Sequence, residues 1–457
     1  MNDYISGIHH HGAHQGEYVT HHEHPVTIDA VHGARILDSR GYPTVRVSLE
    51  LDDGRTVTGD APAGASTGAH EAVELRDGGS AFGGRDVTQA LHLIDTDISG
   101  LLTGRSWSAI GQIDAALAEL DGTTGYRRLG ANSVVATSIA ASRALAHAAD
   151  LPLWQWIAEI TGSTPRMPVP HFNVLNGGAH AANELDFQEF MIAPVNAGSM
   201  ADAVRIGADV YHALAALVRD RFGSLGLGDE GGFAPSIAAP EEALDLLVDA
   251  IRTAGYEPGV DQVAIALDPA ANEFSQGDGS YRVLNDSLDR DGLVDYYRHL
   301  IDTYPIRSIE DAFAEDDHEG FRRMQAALGD RIQIVGDDLY VTDPQRIRDG
   351  GEQQRDAEVT GLGGVDVPDG PLAAVVRRPR VRAVVVGERS PLLGIECVSP
   401  QVRVRAHDPV LLRRDDGQPL ALAEDRGTAL LPLVERVGRH PDHEPVAQRR
   451  CALEDAQ

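Results

Sequence analysis

Asp268, Glu310 and Asp337 each close a short apolar run of β type: Val263 to Leu267, Ile306 to Ile309 and Ile332 to Gly336. Carboxylate oxygens suit a hard cation such as Mg2+, which takes few protein ligands and leaves positions for water and substrate. The intervals of 42 and 27 residues leave room for a helix between successive strands, the pattern of a parallel β/α barrel. In such barrels the C-terminal strand ends gather on one face, where active sites sit. Taken singly, each acid is as well explained by a turn or a helix cap. Only together do the three acids point to a metal site.

Other strings carry residue types suited to chemistry. Ser66 lies in Ala63-Gly-Ala-Ser-Thr-Gly68, where glycines on both sides permit a hinge. Glu230 lies in Gly228-Asp-Glu-Gly-Gly232, an acid set where the backbone can come close to a ligand. His180 follows Asn176-Gly-Gly-Ala, and Gln188 and Glu189 sit in Phe187-Gln-Glu-Phe-Met191. Each also has a plain reading, as a turn or as a loop histidine with its hydrogen bonds satisfied.

The elements that must position these residues fall into regimes. Residues 1–26 form a polar, histidine-rich tail, with His9, His10, His11, His14, His21, His22 and His24, and are expected to be disordered. Residues 27–160 read as an α+β domain. Alternation from Thr44 to Leu51, a turn at Asp52-Asp-Gly54 and renewed alternation from Thr56 predict a hairpin, and the alanine-rich stretch Ser133 to Ala149 predicts a helix with Asn132 as its cap. Pro165-Arg-Met-Pro-Val-Pro170 marks a boundary, after which strands alternate with amphipathic helices over 165–350. In the clearest of these, Pro240 to Ala254, Leu244, Leu247, Val248 and Ile251 form one stripe and Gly255 ends it. Residues 351–457 change style again and hold 15 of the 39 arginines.

Composition narrows the function classes. A chain of 457 residues with 42% apolar content can build a substantial core across two or three domains. There is no run of eighteen apolar residues and no basic-then-apolar leader, so neither a membrane partner nor export is expected. Two cysteines, Cys397 and Cys451, offer no disulfide framework, in keeping with a cytoplasmic location. A net charge of -31 argues against nucleic acid as a partner.

Between residues 38 and 339 the strings fall in a specific order. Asp38-Ser-Arg-Gly-Tyr-Pro-Thr44, the Ser66 loop, the His180 loop, the Gln188-Glu189 strand and the Glu230 loop are followed by Ser308-Ile-Glu-Asp311 and Gly336-Asp-Asp-Leu339. The ordered set resembles the enolase family over about residues 27–350. The resemblance implies an α/β chain, with an N-terminal α+β domain followed by an enolase-type β/α (TIM-like) barrel whose C-terminal strands are in doubt. It implies Mg2+-dependent dehydration of 2-phosphoglycerate to phosphoenolpyruvate in glycolysis, with a small phosphorylated hydroxy acid as substrate and a homodimer as the assembly.

Residue by residue, the resemblance makes Asp268, Glu310 and Asp337 ligands of Mg2+ and Ser66 a ligand of a second Mg2+ when the site closes. Glu230 becomes the general acid for the departing hydroxyl, assisted by Glu189. His180 and Gln188 become substrate-side groups. The chemistry passes through a dianionic enolate, so cations must offset its charge while a separate base and acid act on the two carbons.

The resemblance stops where the base should be. The family's base is a lysine about 25 residues beyond the third metal carboxylate; position 362 is Leu362, and all 39 basic residues of the chain are arginines. A guanidinium stays protonated, so it can hold an anion but makes a poor base. Val384-Val-Val-Gly-Glu-Arg-Ser390 is only an echo of a later family strand, and Arg389 and Ser390 are weak candidates for the substrate phosphate. Three readings therefore stay open: an enolase-family lyase of impaired activity, a noncatalytic metal-binding or moonlighting relative, and a nonfunctional product of a reading-frame slip after about residue 350.

Overall fold

The computed structural model describes residues 24–353, except 62, 65–67 and 229. The readings made for the histidine tract up to residue 23, Ser66, Leu362, Arg389, Ser390 and the tail from residue 354 onward lie outside the described residues. No helix among the described residues is long and apolar enough to cross a membrane.

The first hydrophobic core belongs to a four-stranded antiparallel sheet built from β1 (Val26–Leu37), β2 (Pro43–Leu51), β3 (Thr56–Ala61) and β4 (Ser106–Trp107), in the order β3-β2-β1-β4. Alternation in β2 works as expected: Val45, Val47, Leu49 and Leu51 are buried, while Arg46, Ser48 and Glu50 between them are not. The hairpin turn places Gly54 at φ +81°, where a glycine is needed. Five helices accompany the sheet: α1 (Thr88–Leu93), continued by a π-type turn, α2 (Ser99–Leu102), α3 (Ile110–Asp121), α4 (Ala131–Ala148) and α5 (Leu153–Thr161).

Helix α4 lies so close to β3 that a Cβ on Gly59 would run into the Ala136 carbonyl, and its small residues Ala136, Ala140 and Ala144 are buried there. The capping expectation for Asn132 needs correction. The helix starts two residues earlier than expected, at Ala131 after Gly130 at φ +86°, and Asn132 sits in its first turn. Its side chain accepts from Leu75 N (3.2 Å) and donates to Leu75 O (3.2 Å), so it ties a distant segment down instead of ending the helix.

A second core belongs to β5 (Phe172–Asn176), β6 (Glu189–Pro194), β7 (Val263–Asp268), β10 (Ile306–Glu310) and β11 (Gln333–Val335), in the order β11-β10-β7-β6-β5. Strands β6 and β7 are buried along their whole length, as expected of strands covered on both faces. A small hairpin, β8 (Ser280–Val283) with β9 (Asp286–Asp289), stands apart. The helices are α6 (Met200–Phe222), α7 (Pro240–Thr253), α8 (Arg290–Thr303), α9 (His318–Leu328) and α10 (Pro344–Gln353). In α7, Leu244, Leu247 and Ile251 are fully buried, Val248 packs at their margin and Gly255 follows at φ +86°.

β7, β10 and β11 run parallel, as their intervals require. The start of the sheet departs from the all-parallel expectation, because β5 pairs antiparallel with β6, and β6 with β7. The physical reason is the connections. The loop 177–188 reverses the chain after β5, and two helices in series, α6 and α7, separate β6 from β7 where one would return the chain for parallel pairing. The beginning of β6 therefore lies at the same end of the sheet as the finish of β5, β7, β10 and β11.

Candidate active site

Register brings the acids together. Glu189, the first residue of β6, pairs with Asp268, the last of β7. One strand further, Ile309 pairs with Leu267, so Glu310 stands beside Asp268, and Glu310 pairs with Val335, two residues before Asp337. Glu189, Asp268 and Glu310 are all buried. Burial pushes the Glu310 carboxyl well above the usual range, and the charges of Asp268, Asp311, Asp337 and Glu189 push it further. Such a row calls for protons or a cation. The donors are oxygens only, and the chain has no lysine to place among them, so the donor set fits Mg2+.

A residue the sequence reading left without a role holds this row in shape. The carboxylate of Asp311, itself 3% exposed, accepts from the backbone N–H groups of Asp337 (3.2 Å), Asp338 (2.8 Å) and Leu339 (3.3 Å). Its own N–H donates to Val335 O at 3.0 Å, and its φ of +38° is one that few residues other than glycine adopt. Burial raises its pKa well above the ordinary value, followed by the charges of Asp268 and Asp338. Nearby, Asp268 Oδ1 accepts from Ala270 N (2.9 Å), while Asn272 donates to Asp338 Oδ2 (3.1 Å) and accepts from Glu315 N (2.9 Å).

The second group of candidates lies beside β5. His180 ends a short 3-10 turn, Gly178–His180, and is buried; its Nδ1 lies 3.6 Å from Glu230 Oε2. The turn requires Gly177, since a Cβ there would meet Phe187 O at 2.5 Å. The Glu230 loop is pinned to β5 by two backbone bonds, Asn176 N to Phe233 O and Phe233 N to Val174 O, both 2.9 Å. A Cβ on Gly232 would overlap Asn176 Oδ1, and one on Gly228 would come 2.7 Å from Asn176 Cβ, so the glycines permit the close approach. Asn173, also without an assigned role, donates to Glu230 Oε2 at 2.8 Å. Potential ligand atoms of His180, Glu189 and Glu230 all lie within 4.8 Å of one another. Gln188, the neighbour of Glu189, is buried at 1% exposure.

The residues flanking Ser66 are fixed at both ends. Arg40 donates to Ala63 O (2.8 Å) and Gly64 O (2.7 Å), which gives the Asp38-to-Thr44 string a physical role. On the far side, Ala69 N donates to Glu315 Oε2 (3.0 Å), His70 Nε2 lies 2.9 Å from Asp316 Oδ1, and Gly68 N donates to Glu71 Oε1 (3.0 Å). Glu71 has a raised pKa from burial, with the charges of Asp337 and Asp338 contributing, so this segment reaches the edge of the acid row.

Comparison with known proteins agrees with this layout. Residues 28–157 match the family model for the enolase N-terminal domain, and residues 164–359 that for the enolase C-terminal TIM barrel domain. An enolase from Acidothermus cellulolyticus is 47% identical over 323 residues, covering 71% of this chain and 74% of the relative. With its strand-end carboxylates, its glycine-framed acid loop and this extent of similarity, the chain is an α/β lyase that belongs to the enolase family.

Proposed function

We propose that this chain keeps the metal and acid half of the site that dehydrates 2-phosphoglycerate to phosphoenolpyruvate, but turns over poorly because it has no amine base. Asp268, Glu310 and Asp337 would hold Mg2+, with Ser66 serving a second Mg2+. Bound there, Mg2+ supplies charge stabilisation for a substrate carboxylate as it gains negative charge. Glu230, aligned by Asn173, gives a proton to the departing hydroxyl; Glu189 lies beside it, and His180 and Gln188 line the substrate side. The substrate class is a small phosphorylated hydroxy acid, the assembly a homodimer and the setting cytoplasmic, following the family.

The observation that carries the impairment is the absence of lysine from all 457 residues. Loss of a general base typically removes about 10² to 10⁴ in rate. Phosphoenolpyruvate formation by the purified chain, its sequence verified by mass spectrometry, is expected to fall short of an intact family member by at least that range. Turnover at the ordinary rate would defeat the proposal.

A second reading is favoured by the point at which family similarity ends, residue 359. A reading-frame slip near that point would replace the base-bearing strands with unrelated text. The encoding DNA, read in all three frames, would then restore the missing family strings in another frame; their absence from every frame leaves a divergent paralogue.

A further inference from the structure

We propose that His180, Glu189 and Glu230 form a site for a first-row transition metal, Zn2+ being the best match, adjoining the Asp268, Glu310 and Asp337 set assigned to Mg2+. His180 is 5% exposed, and among the described residues neither of its ring nitrogens has a hydrogen-bond partner. A buried imidazole without a partner is costly unless something occupies it. Nδ1 is aimed at Glu230, 3.6 Å from Oε2, and the ligand atoms of all three residues lie within 4.8 Å of one another.

The spacing suits a metal better than a direct contact. Ligands at about 2.0 to 2.2 Å from a tetrahedral Zn2+ stand about 3.4 Å from each other. The 3.6 Å separation is too long for a hydrogen bond and close to that edge length. One imidazole with two carboxylates selects Zn2+ over Mg2+, because nitrogen is a poor ligand for the harder ion, and three protein ligands leave a position open.

Local supports favour the same use. Asn173 Nδ2 donates to Glu230 Oε2 at 2.8 Å, the kind of outer hydrogen bond that orients a ligating carboxylate. Glu189 is placed by its pairing with Asp268, and His180 by the Gly177-Gly178 turn. In a chain without lysine no ammonium can be supplied to these acids. The site does not depend on turnover and holds whether or not the chain dehydrates 2-phosphoglycerate. If it does, Zn2+ here occupies the groups assigned to substrate and acts as an inhibitor.

The test uses the full chain, stripped of metal and dialysed against Zn2+ in large excess Mg2+. The histidine-rich first 24 residues contribute the same background to every variant. Wild type should hold one Zn2+ equivalent more than His180→Ala and His180→Asn, while Glu310→Gln keeps that equivalent. Equal uptake by wild type and both His180 variants would place all binding elsewhere in the chain and overturn the proposal. So would loss of the equivalent in Glu310→Gln with retention in the His180 variants, which would mean Zn2+ merely replaces Mg2+. Should the His180 variants fail to fold, Co2+ on wild type decides. Intense visible bands of a four- or five-coordinate ion, displaced by Zn2+, support the site; a weak six-coordinate spectrum alone overturns it.

Discussion

The Asp311 carboxylate accepts the backbone N–H of Asp337, joining the end of β10 to the residue that follows β11. Two strand ends are thereby held at a fixed offset, so Glu310 and Asp337, the proposed Mg2+ ligands, have little freedom to separate. Asp311 acts through the backbone N–H groups of Asp337, Asp338 and Leu339. Residues with that relation to metal ligands typically affect affinity by about 10- to 100-fold. Asp311→Ala should weaken Mn2+ binding by that factor, measured by electron paramagnetic resonance. Asp311→Asn should lie between, since asparagine tolerates positive φ and keeps one acceptor oxygen. Unchanged Mn2+ affinity in both variants would remove Asp311 from the site.

The raised acids make stability depend on pH in a direction opposite to the usual carboxylate. Glu310 and Asp311 start from ordinary values of 4.5 and 3.8, and burial with neighbouring charge raises both. The metal-free folded state then holds more protons than the unfolded chain above those values. Their contribution to stability falls as pH climbs from about 4 through the folded pKa values, and levels off beyond them. Mg2+ held by Glu310 as proposed would displace those protons, so its stabilising effect should grow with pH over the same window. Thermal melting with Mg2+ and with chelator, for wild type and Glu310→Gln, isolates this effect from other acids. A Mg2+ effect that shrinks as pH rises, or one equal in both proteins, would contradict the assignment.

How much of this was legible in the sequence depends on the kind of signal. Asp268, Glu310 and Asp337 follow apolar runs, and a parallel arrangement of β7, β10 and β11 follows from their intervals. Glu189 was legible only through its motif, because periodicity does not reveal that β6 runs antiparallel and begins at the site end. Arg40 and Asp311 belong to the motifs Asp38 to Thr44 and Ser308 to Asp311, yet their work is done on backbone groups, Gly64 O and Asp337 N, that no side-chain pattern encodes. Asn132 had the right type for a cap, but the helix begins before it, after Gly130, and Leu75, 57 residues away, claims its amide. Contacts between distant backbone segments leave no local trace.

Asp317 ties down the loop that follows Glu310. It accepts from Tyr281 Oη (2.6 Å), Arg290 Nε (2.7 Å) and Gly320 N (3.0 Å), and Tyr281 Oη in turn accepts from Ala314 N (3.2 Å) in the loop after Glu310. Burial opposes ionisation, yet the hydrogen bonds from Tyr281 and Arg290 bring its pKa below 3.8. Asp317→Asn should cost about 2 kcal/mol at neutral pH, less than a fully buried pair because the Arg290 side chain is 32% exposed. Since the folded pKa is lowered, that contribution is present above about 4 and disappears as pH falls through the folded value. Chemical denaturation at several pH values should show the gap between wild type and variant closing below pH 4. A gap that widens there would refute the assignment.

If the missing amine is what limits turnover, an amine in solution should restore part of it. A small primary amine resembles the lysine head group, with a pKa of about 10.4, and only its free-base form can take a proton. Phosphoenolpyruvate formation should therefore rise with amine concentration, and at fixed total amine by about tenfold per pH unit between 7 and 9 while other groups keep their state. Tetramethylammonium carries the charge without the lone pair, so it separates base catalysis from simple neutralisation of the acid-rich cleft. Acceleration by methylamine and none by tetramethylammonium would place the defect at proton abstraction. Equal acceleration by both would place it in charge balance around Glu189, Asp268 and Glu310. No response to either would mean that the chain fails to build the substrate side at all, and the proposal of a single missing base would be wrong.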